Sequence, residues 1–399
     1  MGRDSHILTI NSGSSSIKFS LYILGKTEDL VLQGDLERIG LAGGVFQARD
    51  HAGRQLVAQE LDLPDHNTAL KALFTWFEGH AVGQNLHAVG HRLVHGGRDH
   101  VQPQKVSPAL LADLKLLIPL APDHLPHEIK GLEGVQAHFP DLLQVACFDT
   151  AFHRRMPEVA QRYALPASLV EAGVRHYGFH GLSYEYITQE LARELGSPHA
   201  AGKLIIAHLG NGASMAAIEE GRSLDTTMGM TPAGGLVMST RCGDLDPGVV
   251  IYLLREKGLA PDAVNNLINR QAGLLGVSGT SGDMHDLLGQ EKTNPDAALA
   301  VELFCYQARK FIGALAAVLG GLDTLVFTGG IGEHAAAIRA RLCGPLGFLG
   351  LHLAPDLNQA NAPIISPPKS PVTVRVMKTN EELMIARHTR ELLAVASGS

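Results

Sequence analysis

Residues 6–23, HILTINSGSSSIKFSLYI, decide the fold of this chain. Residues 6–10 and 16–23 have the apolar content of β-strands, and the turn between them, NSGSS at 11–15, is rich in Gly, Ser and Asn. The stretch therefore predicts a β-hairpin with a polar tip. Glycine lets such a tip expose several backbone N–H groups to an anion. The hairpin is thus a candidate phosphate-binding turn.

A second hairpin of this kind is predicted near the middle of the chain. KLIIAH at 203–208 and ASMAAI at 213–218 frame LGNG at 209–212. Later in each half comes an apolar strand with a polar or glycine-rich end, at 142–150 and at 323–333. The order of features recurs although the two halves share almost no sequence, which indicates a duplicated architecture. Strands that alternate with helices indicate α/β layers.

Helical spacing of apolar residues marks the longer segments, and Ser183 and Asn380 stand before acidic residues as capping signals. The segments are 108–118, 183–195, 297–320 and 380–395. The proline-rich stretch at 361–371 resembles a linker into a last strand and helix. A chain of 399 residues exceeds what one hydrophobic core usually holds. We therefore expect two domains with a boundary near residue 152.

The composition narrows the class of protein. The formal net charge of −7, without clusters of Lys and Arg, argues against nucleic acid and anionic membranes as partners. The four cysteines are far apart and lack CxxC spacing, which indicates neither a disulfide framework nor a zinc ribbon. The most apolar run, at 311–322, is too short to cross a bilayer as a helix. We expect a soluble cytoplasmic protein.

Glycine turns next to apolar strands recur at 11–15, 209–212, 278–283 and 328–333. A single turn of this kind is common, but four together favour a phosphate-binding function. The chain has neither a GxxxxGK[ST] loop nor protein-kinase signatures, so the nucleotide site must be of another kind. Residues 330–335 match GxGxxA, which leaves a dinucleotide-dependent oxidoreductase as a distant alternative. That fingerprint normally lies in an N-terminal βαβ unit, whereas here it lies late.

Charged residues at several positions suit phosphoryl transfer to a carboxylate, which needs cations to hold two anions and a metal ion to neutralise phosphate oxygens. Arg92 and Arg241 lie among small or apolar residues beside glycine turns. A guanidinium there meets either a substrate anion or a buried carboxylate. Asp149 ends a strand and Glu381 opens a helix, and both suit Mg²⁺. The alternatives are an ordinary strand-end acid and a first-turn acid.

The histidines allow two interpretations. His87, His91 and His95 recur at helical spacing, which would suit a metal site, but residues 88–97 have the pattern of a strand that ends in glycines. His180 lies at a glycine-rich turn just before a helix. An imidazole there could donate to an anion at the helix N-terminus, and a capping or core histidine is the alternative.

Several segments, in order and over nearly the whole chain, resemble the acetate kinase family: INSGSSSIKF, HRLVHGG, CFDTAFH, YGFHGLSYEY, AHLGNGAS, TPAGGLVMSTRCGDLDPG, FTGGIGE and TNEELMIA. The resemblance implies the superfamily of acetate and sugar kinases, actin and heat-shock chaperone ATPases. Its fold is α/β with two domains, each a duplicated ribonuclease-H-like βββαβαβα core, and an interdomain ATP cleft. The substrate domain would be 1–152, completed by the helix 382–399, and the nucleotide domain 153–381.

The resemblance also implies roles for individual residues. Asp149, His180 and Arg241 resemble the catalytic residues, while Asn11 and Glu381 resemble the residues that hold Mg²⁺, with Mn²⁺ as an alternative ion. The acetate substrate would contact Arg92, Val94, His124, Phe179 and Pro232. ATP or ADP, the co-substrate, would contact Lys18, His208, Leu209, Gly210, Asn211, Gly212, Asp283, Met284, His285, Gly329, Gly330, Ile331, Gly332 and Glu333.

Departures from the family's pattern affect specificity. Asp123 replaces an apolar residue of the expected acyl pocket, and an acid there would repel a bound carboxylate unless it points away or is protonated. His285 and His334 stand where the family has other residues in its nucleotide segments. The resemblance implies reversible phosphorylation of acetate to acetyl phosphate by direct in-line attack, with propionate or another short-chain carboxylate as the alternative. It also implies a homodimer.

Overall fold

The structure is a computed structural model. It describes residues 4–79, 85–197 and 201–397. The chain divides into two compact units. Unit 1 comprises Met1–Ala151 and Asn380–Ser399, and unit 2 comprises Phe152–Thr379.

Unit 1 opens with consecutive antiparallel strands and continues with alternating helices and strands. The strands are β1 (Ser5–Ser12), β2 (Ser16–Leu24), β3 (Glu28–Glu37), β4 (Gly44–Asp50), β5 (Gln55–Leu61), β6 (Ala88–Leu93), β7 (Gln104–Lys105) and β8 (Leu143–Phe148). The helices before residue 151 are α1 (His66–Glu78), α2 (Pro108–Leu117) and α3 (Leu125–His138), with a 3₁₀ turn at Ile118–Leu120. In the described part of unit 1 the strands form one sheet in the order β5-β4-β3-β2-β1-β6-β8-β7.

The predicted first hairpin is present as β1 and β2, which pair antiparallel with Asn11 opposite Lys18. The Gly13 N–H donates to the Ser16 carbonyl at 2.8 Å and closes the turn. Strand β1 also pairs in parallel with β6, and β6 pairs in parallel with β8. Since parallel strands end at the same edge of a sheet, the residues after β1, β6 and β8 come together.

The core of unit 1 lies between the sheet and α1. Asp65 caps this helix by accepting a hydrogen bond from the Thr68 N–H at 2.8 Å. The inward face of α1 follows the spacing of three and four residues, with Leu70, Phe74 and Phe77 buried against Phe19 and other apolar side chains of the strands.

Unit 2 repeats the strand, hairpin and helix order. Its strands are β9 (Leu204–Leu209), β10 (Ala213–Glu219), β11 (Arg222–Thr226), β12 (Thr324–Thr328) and β13 (Thr373–Val376). Its helices are α4 (Glu158–Gln161), α5 (Ala167–Glu171), α6 (Gly181–Leu195), α7 (Pro247–Arg255), α8 (Pro261–Arg270), α9 (Gly273–Ser278), α10 (Met284–Gln290), α11 (Pro295–Leu319), α12 (Gly329–His334), α13 (Ala336–Cys343) and α14 (Pro355–Gln359). Short 3₁₀ turns lie at Ala151–Arg155 and Gly344–Leu349.

The two sheets share one arrangement of strands. In unit 2 the described strands run in the order β11-β10-β9-β12-β13, and the corresponding part of unit 1 runs β3-β2-β1-β6-β8. In both, the first three strands are antiparallel and the last two are added in parallel. The predicted α/β class with a duplicated ribonuclease-H-like core is therefore confirmed.

The last helix, α15 (Glu381–Ser397), returns to unit 1 and packs on β6. A Cβ on Gly90 would lie 2.3 Å from Thr389 Oγ1 and 2.5 Å from Ile385 Cγ2. Only glycine therefore lets the helix lie this close to the strand. The Asn380 side chain accepts from the Leu383 N–H at 2.9 Å and caps the helix, as its sequence signal predicted.

One local prediction was wrong. Ser183 does not cap α6, because the helix begins at Gly181 with His180 in the N-cap position at φ 57°.

The stretch 361–371 is a loop that leads into the last strand and helix, as predicted, and it lies within unit 2 beside β13. There the Ile365 N–H donates to the Val374 carbonyl at 2.8 Å, and Ser366 Oγ accepts from the Val374 N–H at 3.0 Å. Its prolines disfavour a helix or a regular strand here, but the stretch still forms backbone hydrogen bonds.

The apolar run 311–322 lies largely in α11, which Asn294 caps at its start and Gly320 ends in the left-handed conformation. Within the described ranges, no helix is long and apolar enough to cross a membrane.

Candidate active site

Polar side chains collect at one edge of the unit 1 sheet, where β1, β6 and β8 end. Asn11 lies near the end of β1, Arg92 lies near the end of β6, and Asp149 directly follows β8. The Asp149 N–H donates to the Leu93 carbonyl at 2.9 Å, which keeps the two strand ends in register. Three predicted site residues from distant parts of the sequence are thus neighbours.

Arg92 is the centre of this cluster. Its Nε donates to Asp149 Oδ1 at 3.2 Å and its Nη2 donates to Asp149 Oδ2 at 2.5 Å, which makes a bidentate ion pair. Nη1 lies 3.4 Å from Asn11 Oδ1, and Nε lies 3.7 Å from Glu381 Oε2. The Asp149 side chain is fully buried, whereas 17% of the Arg92 side chain is exposed. The guanidinium therefore fixes a buried carboxylate and still reaches solvent.

Burial and charge shift the protonation equilibria of this cluster. Burial alone would lower the pKa of Arg92, but Asp149 and Glu381 raise it above its ordinary value. Burial raises the pKa of Glu381 to about 7, although Arg92 acts in the opposite direction. More carboxyl groups than guanidinium groups meet here, so the cluster favours a proton or another cation near Glu381.

Glu128 joins the cluster, although sequence reasoning did not select it. This residue of α3 is 2% exposed, and its two carboxyl oxygens lie 3.2 and 3.0 Å from the Val94 nitrogen, from which they accept a hydrogen bond. Burial raises the pKa of Glu128 to about 8, against the effect of Arg92. The carboxyl group thus holds the backbone two residues after Arg92. Its signal in the sequence was a lone acid on the otherwise apolar inward face of α3.

We predict that Glu128→Gln changes how stability depends on pH. A raised pKa in the folded state means that Glu128 contributes stability fully below its unfolded pKa near 4.5, and that this contribution is lost as the pH rises to about 8. Gln cannot ionise and keeps an acceptor for the Val94 N–H. Relative to the wild type, the variant should therefore gain at least about 1 kcal/mol between pH 5 and 8.

Urea unfolding at a series of pH values measures this difference. Glu381 titrates in both proteins, so its effect cancels. Glu128→Ala, which has no acceptor for Val94, should be less stable than Glu128→Gln at every pH. A difference between wild type and Glu128→Gln that does not change with pH would contradict the assignment.

The other predicted residues of unit 1 lie around this edge. Val94 is buried, and His124 occupies the N-cap position of α3 without a side-chain capping bond. Lys18 is exposed on β2 and lines a polar depression with Asp35 and Arg49. The charge of Lys18 also acts on Glu381.

Unit 2 brings its predicted anion-binding residues together at the turn between β9 and β10. This turn is Gly210–Gly212, closed by a hydrogen bond from the Gly210 N–H to the Gly212 carbonyl at 3.1 Å. A Cβ on Gly212 would lie 3.3 Å from His180 Nε2 and 3.6 Å from Arg241 Nη1. Because glycine has no side chain, an imidazole and a guanidinium can both approach the turn.

Two histidines are stacked beside the turn. The rings of His180 and His208 have centroids 4.3 Å apart and planes 18° apart. His180 Nδ1 contacts Ser214 Oγ at 2.8 Å, and His208 Nδ1 contacts Ser183 Oγ at 2.8 Å. Hydroxyl groups therefore hold both imidazoles by the same ring atom.

Hydrogen bonds to backbone carbonyl groups hold Arg241 and its loop in place. Arg241 Nη1 donates to the Pro232 carbonyl at 3.0 Å, and the Ser239 N–H donates to the Asn211 carbonyl at 3.1 Å. Phe179 is buried just before His180, and its carbonyl contacts His153 Nε2 at 3.0 Å. Burial lowers the pKa of His153 to about 4, so this histidine is neutral.

A cavity of about 420 Å³ adjoins the same turn. It is lined by Gly210, Asn211, Asp283, Met284, His285, Leu288, Gly330, Ile331, His334 and Ala335. Seven of the fourteen residues predicted to contact the nucleotide thus line one cavity, together with Leu288, His334 and Ala335. Asp283 caps α10 by accepting from the His285 N–H at 2.7 Å.

The short helix α12 (Gly329–His334), which follows β12 where a glycine turn was predicted, supports this cavity. Gly329 has φ 77°, and a Cβ there would lie 2.7 Å from the Leu209 carbonyl oxygen, so this position requires glycine. Glu333 Oε1 accepts from the Gly329 N–H at 3.0 Å, and Gly332 is buried in the same helix. The Glu333 carboxylate thus braces the start of its own helix.

The histidine spacing noted in the sequence does not form a metal site in the described residues. His91 is buried in β6, and burial lowers its pKa to about 3. In the described ranges, no group of three or more His, Cys, Asp or Glu side chains is arranged to hold a metal ion. A magnesium site at the edge of unit 1 would use oxygen ligands from few side chains, with Asn11 among them.

Two ribonuclease-H-like units with polar, glycine-containing turns at their strand ends define the fold class of this protein, and its family is one of kinases. The sequence profile of the acetokinase family matches residues 6–387. The chain belongs to the acetokinase family, as its motifs predicted. This membership removes the dinucleotide-dependent oxidoreductase as an alternative.

Similar proteins cover almost the whole chain. A protein of Rhodopseudomonas palustris named acetate kinase is 46% identical over 391 residues, which are 97% of this chain and 98% of that protein. The crystal structure of Porphyromonas gingivalis acetate kinase is 40% identical, covers 98% of this chain and 100% of its own, and superposes with a TM-score of 0.88. A propionate kinase structure from Francisella tularensis is 36% identical, covers 97% and 99%, and has a TM-score of 0.92.

Proposed function

We propose that this chain transfers the γ-phosphoryl group of ATP to acetate and forms acetyl phosphate and ADP in a reversible reaction. The observation that carries the proposal is Arg92, a partly exposed guanidinium next to the apolar Val94 at the carboxyl edge of the unit 1 sheet. A carboxylate with a short apolar group fits such a pair of contacts. The similar proteins named acetate kinase, 40–46% identical over nearly their full lengths, support acetate as the substrate.

Direct in-line transfer needs little proton chemistry. A carboxylate oxygen attacks the γ-phosphorus, and the bond to the bridging oxygen breaks with its electron pair left on ADP. In their ionised forms, ATP⁴⁻ and acetate⁻ give ADP³⁻ and acetyl phosphate²⁻, so charge is conserved without a proton. The protein must therefore hold two anions and stabilise the transferring group.

Each unit has a separate task in this proposal. In unit 1, Arg92 binds the substrate carboxylate, and Asp149 holds Arg92 in place through the bidentate ion pair. Val94 and His124 are the proposed contacts of the acyl group in this unit. These assignments follow the family's motif positions.

Unit 2 binds the nucleotide and its phosphates. His180 Nε2 and Arg241 Nη1 face the glycine turn, where they can donate to oxygens of the transferring phosphoryl group. The adenosine part of ATP occupies the cavity of about 420 Å³ beside the turn, against Met284 and Ile331.

Mg²⁺ is the proposed metal ion. Asn11 and Glu381 offer oxygen ligands, and they lie around Arg92 in a cluster where carboxyl groups exceed guanidinium groups. This donor set suits a hard cation that prefers oxygen and keeps several waters. When bound, the ion supplies positive charge to phosphate oxygens.

Propionate is the alternative substrate, because the Francisella tularensis structure with a TM-score of 0.92 is a propionate kinase. A panel of formate, acetate, propionate and butyrate with Mg-ATP separates the two. Hydroxylamine traps the acyl phosphate as a hydroxamate that can be measured. We expect the highest kcat/KM with acetate. A highest value with propionate would replace acetate as the substrate, and no hydroxamate from any acid would refute the proposal.

Asp123 need not oppose acetate binding. Burial and the neighbouring His66 lower the pKa of His127, whereas the charge of Asp123 acts to raise it. The rings of His127 and His66 lie 4.8 Å apart, one turn into α3 from Asp123. We propose that the Asp123 carboxylate is directed toward His127, where its charge favours the protonated ring, and away from the substrate.

We predict that Asp123→Leu leaves the KM for acetate within about twofold of the wild-type value, because the lost charge acts on His127. The matched comparison is Val94→Ala, which should enlarge the acyl pocket and improve propionate relative to acetate by about tenfold. Steady-state hydroxamate kinetics measure both variants. A large fall in the KM for acetate in Asp123→Leu would show that Asp123 faces the substrate.

A homodimer is proposed with α7 in its interface. None of the residues of α7 is buried within the described chain, although its sequence, PGVVIYLLR, is apolar. Val249, Ile251 and Tyr252 are 40–48% exposed. An apolar helix left uncovered in a monomer suits contact with a second copy.

We predict that Ile251→Asp converts the protein from twice the chain mass to the chain mass in light scattering, because a charge in an apolar interface is costly. Leu116→Asp is the control, since Leu116 is a single exposed apolar side chain of α2 in unit 1. A dimer that persists in Ile251→Asp at micromolar concentration would exclude α7 from the interface.

Cytoplasmic location is proposed from cysteine chemistry and substrate. None of the four cysteines, all of which lie in the described ranges, forms a disulfide. This suits a reducing compartment.

A further inference from the structure

A chain of hydroxyl groups leads from the interior of unit 2 to His180. The Tyr184 hydroxyl is hydrogen-bonded to Ser214 Oγ, and Ser214 Oγ lies 2.8 Å from His180 Nδ1. Tyr184 and Ser214 are fully buried, whereas His180 is half-buried at the anion-binding turn. The Tyr184–Ser214–His180 chain therefore begins in the core and ends at the proposed phosphate site.

A second chain of the same kind leads to His208. Thr379 Oγ1 donates to Ser183 Oγ at 2.8 Å, and Ser183 Oγ lies 2.8 Å from His208 Nδ1. The His208 ring then stacks on the His180 ring at 4.3 Å. Two neighbouring imidazoles are thus each contacted at Nδ1 by a serine that has a second hydroxyl partner.

The number of protons in these chains decides what each imidazole can do. A serine hydroxyl has a single hydrogen, and a serine that accepts from one partner keeps that hydrogen available to donate to the other. Thr379 donates to Ser183, which leaves the Ser183 proton for His208 Nδ1. For Ser214, the phenol of Tyr184 is the stronger donor, since its hydroxyl is far more acidic than that of serine. The Ser214 proton is then directed to His180 Nδ1.

We propose that Tyr184, Ser214, Ser183 and Thr379 are positioning residues that hold His180 and His208 as neutral imidazoles with the proton on Nε2. His180 thereby presents an N–H donor to the turn at Gly212, where its Nε2 lies 3.3 Å from the position of a Cβ. Protonation of the ring would place a hydrogen on Nδ1, which could then no longer accept a hydrogen bond from the serine. The inference rests on the proposed phosphoryl transfer, in which His180 contacts the transferring group.

Electrostatics explains why the neutral form is useful. Two imidazolium charges on rings whose centroids lie 4.3 Å apart would repel each other strongly. Phosphoryl transfer to a carboxylate conserves charge without a proton, so a neutral donor suffices. The hydroxyl chains let the two neutral Nε2–H donors lie side by side without this repulsion. They also disfavour the tautomer with its proton on Nδ1, which would direct the Nε2 lone pair toward the phosphate.

The tautomers can be measured directly by nitrogen NMR on the full-length protein labelled with ¹⁵N-histidine. Long-range ¹H–¹⁵N spectra distinguish protonated from unprotonated ring nitrogens, and spectra of His180→Gln and His208→Gln assign the signals. At pH 7.5 we expect Nδ1 unprotonated and Nε2 protonated in both residues. A protonated Nδ1 at His180 would overturn the proposal.

Ser214→Ala tests the chain to His180. We expect a mixture of His180 tautomers, a fall of about tenfold in kcat, and KM values for ATP and acetate within about twofold, since a donor aimed at the transferring group acts in the transition state. Tyr184→Phe keeps the packed ring and removes only its hydroxyl, so it should also mix the His180 tautomers and lower kcat. It also decides the question if Ser214→Ala does not fold.

Thr379→Val tests the second chain and should alter the His208 signals but not those of His180. The control is Thr324→Val, which removes a buried hydroxyl that donates to the Ala201 carbonyl at 2.8 Å in the same unit. It should leave both tautomers and kcat unchanged. Unchanged tautomers in Ser214→Ala and Tyr184→Phe would overturn the positioning role. A wild type with the expected tautomers and no acyl phosphate would refute only the proposed reaction.

Discussion

The ion pair between Arg92 and Asp149 is the interaction on which the edge of unit 1 depends. Asp149 is fully buried, and a buried carboxylate is tolerated only with a charged partner and well-formed hydrogen bonds. Arg92 meets this need with two parallel bonds, because β6 and β8 are neighbours and their ends are in register. Loss of one partner from such a pair typically costs about 3–5 kcal/mol. The ion pair thus depends on β6 and β8 being neighbours, and the burial of Asp149 depends on the ion pair.

The same edge has more carboxyl groups than guanidinium groups. Glu381 arrives on the last helix, which approaches closely only because β6 has glycine at position 90. Glu128 arrives on α3 and is held by a backbone N–H, with burial raising its pKa to about 8. Protonation can relieve part of the excess, and a divalent cation can relieve the rest. A single guanidinium is therefore kept charged and fixed while its surroundings still attract a cation.

Sequence patterns predicted what depends on neighbours along the chain. Both hairpins, the strand that contains Arg92 and the strand that ends before Asp149 were readable, because alternation and turn chemistry act over a few residues. Their roles came from the family resemblance. Glu128 was not selected, since its partner Val94 is 34 residues away and no local pattern links them. Ser183 was misread as a cap because the sequence does not show that His180 adopts positive φ. Its partner His208 is brought by a strand of the sheet.

The two units place different chemistry at equivalent edges of the same sheet arrangement. In unit 1 the edge has charged groups in direct contact, so its electrostatics depends on the ionisation of its carboxyl groups. In unit 2 the edge has imidazoles, hydroxyls and backbone N–H groups around Gly212, with Arg241 fixed to a backbone carbonyl. Neutral donors cost little to bury when hydrogen-bonded and need not rearrange as charge moves from one oxygen to another. The same strand arrangement thus occurs twice, with charged groups at the strand ends in unit 1 and mostly neutral polar groups at those in unit 2.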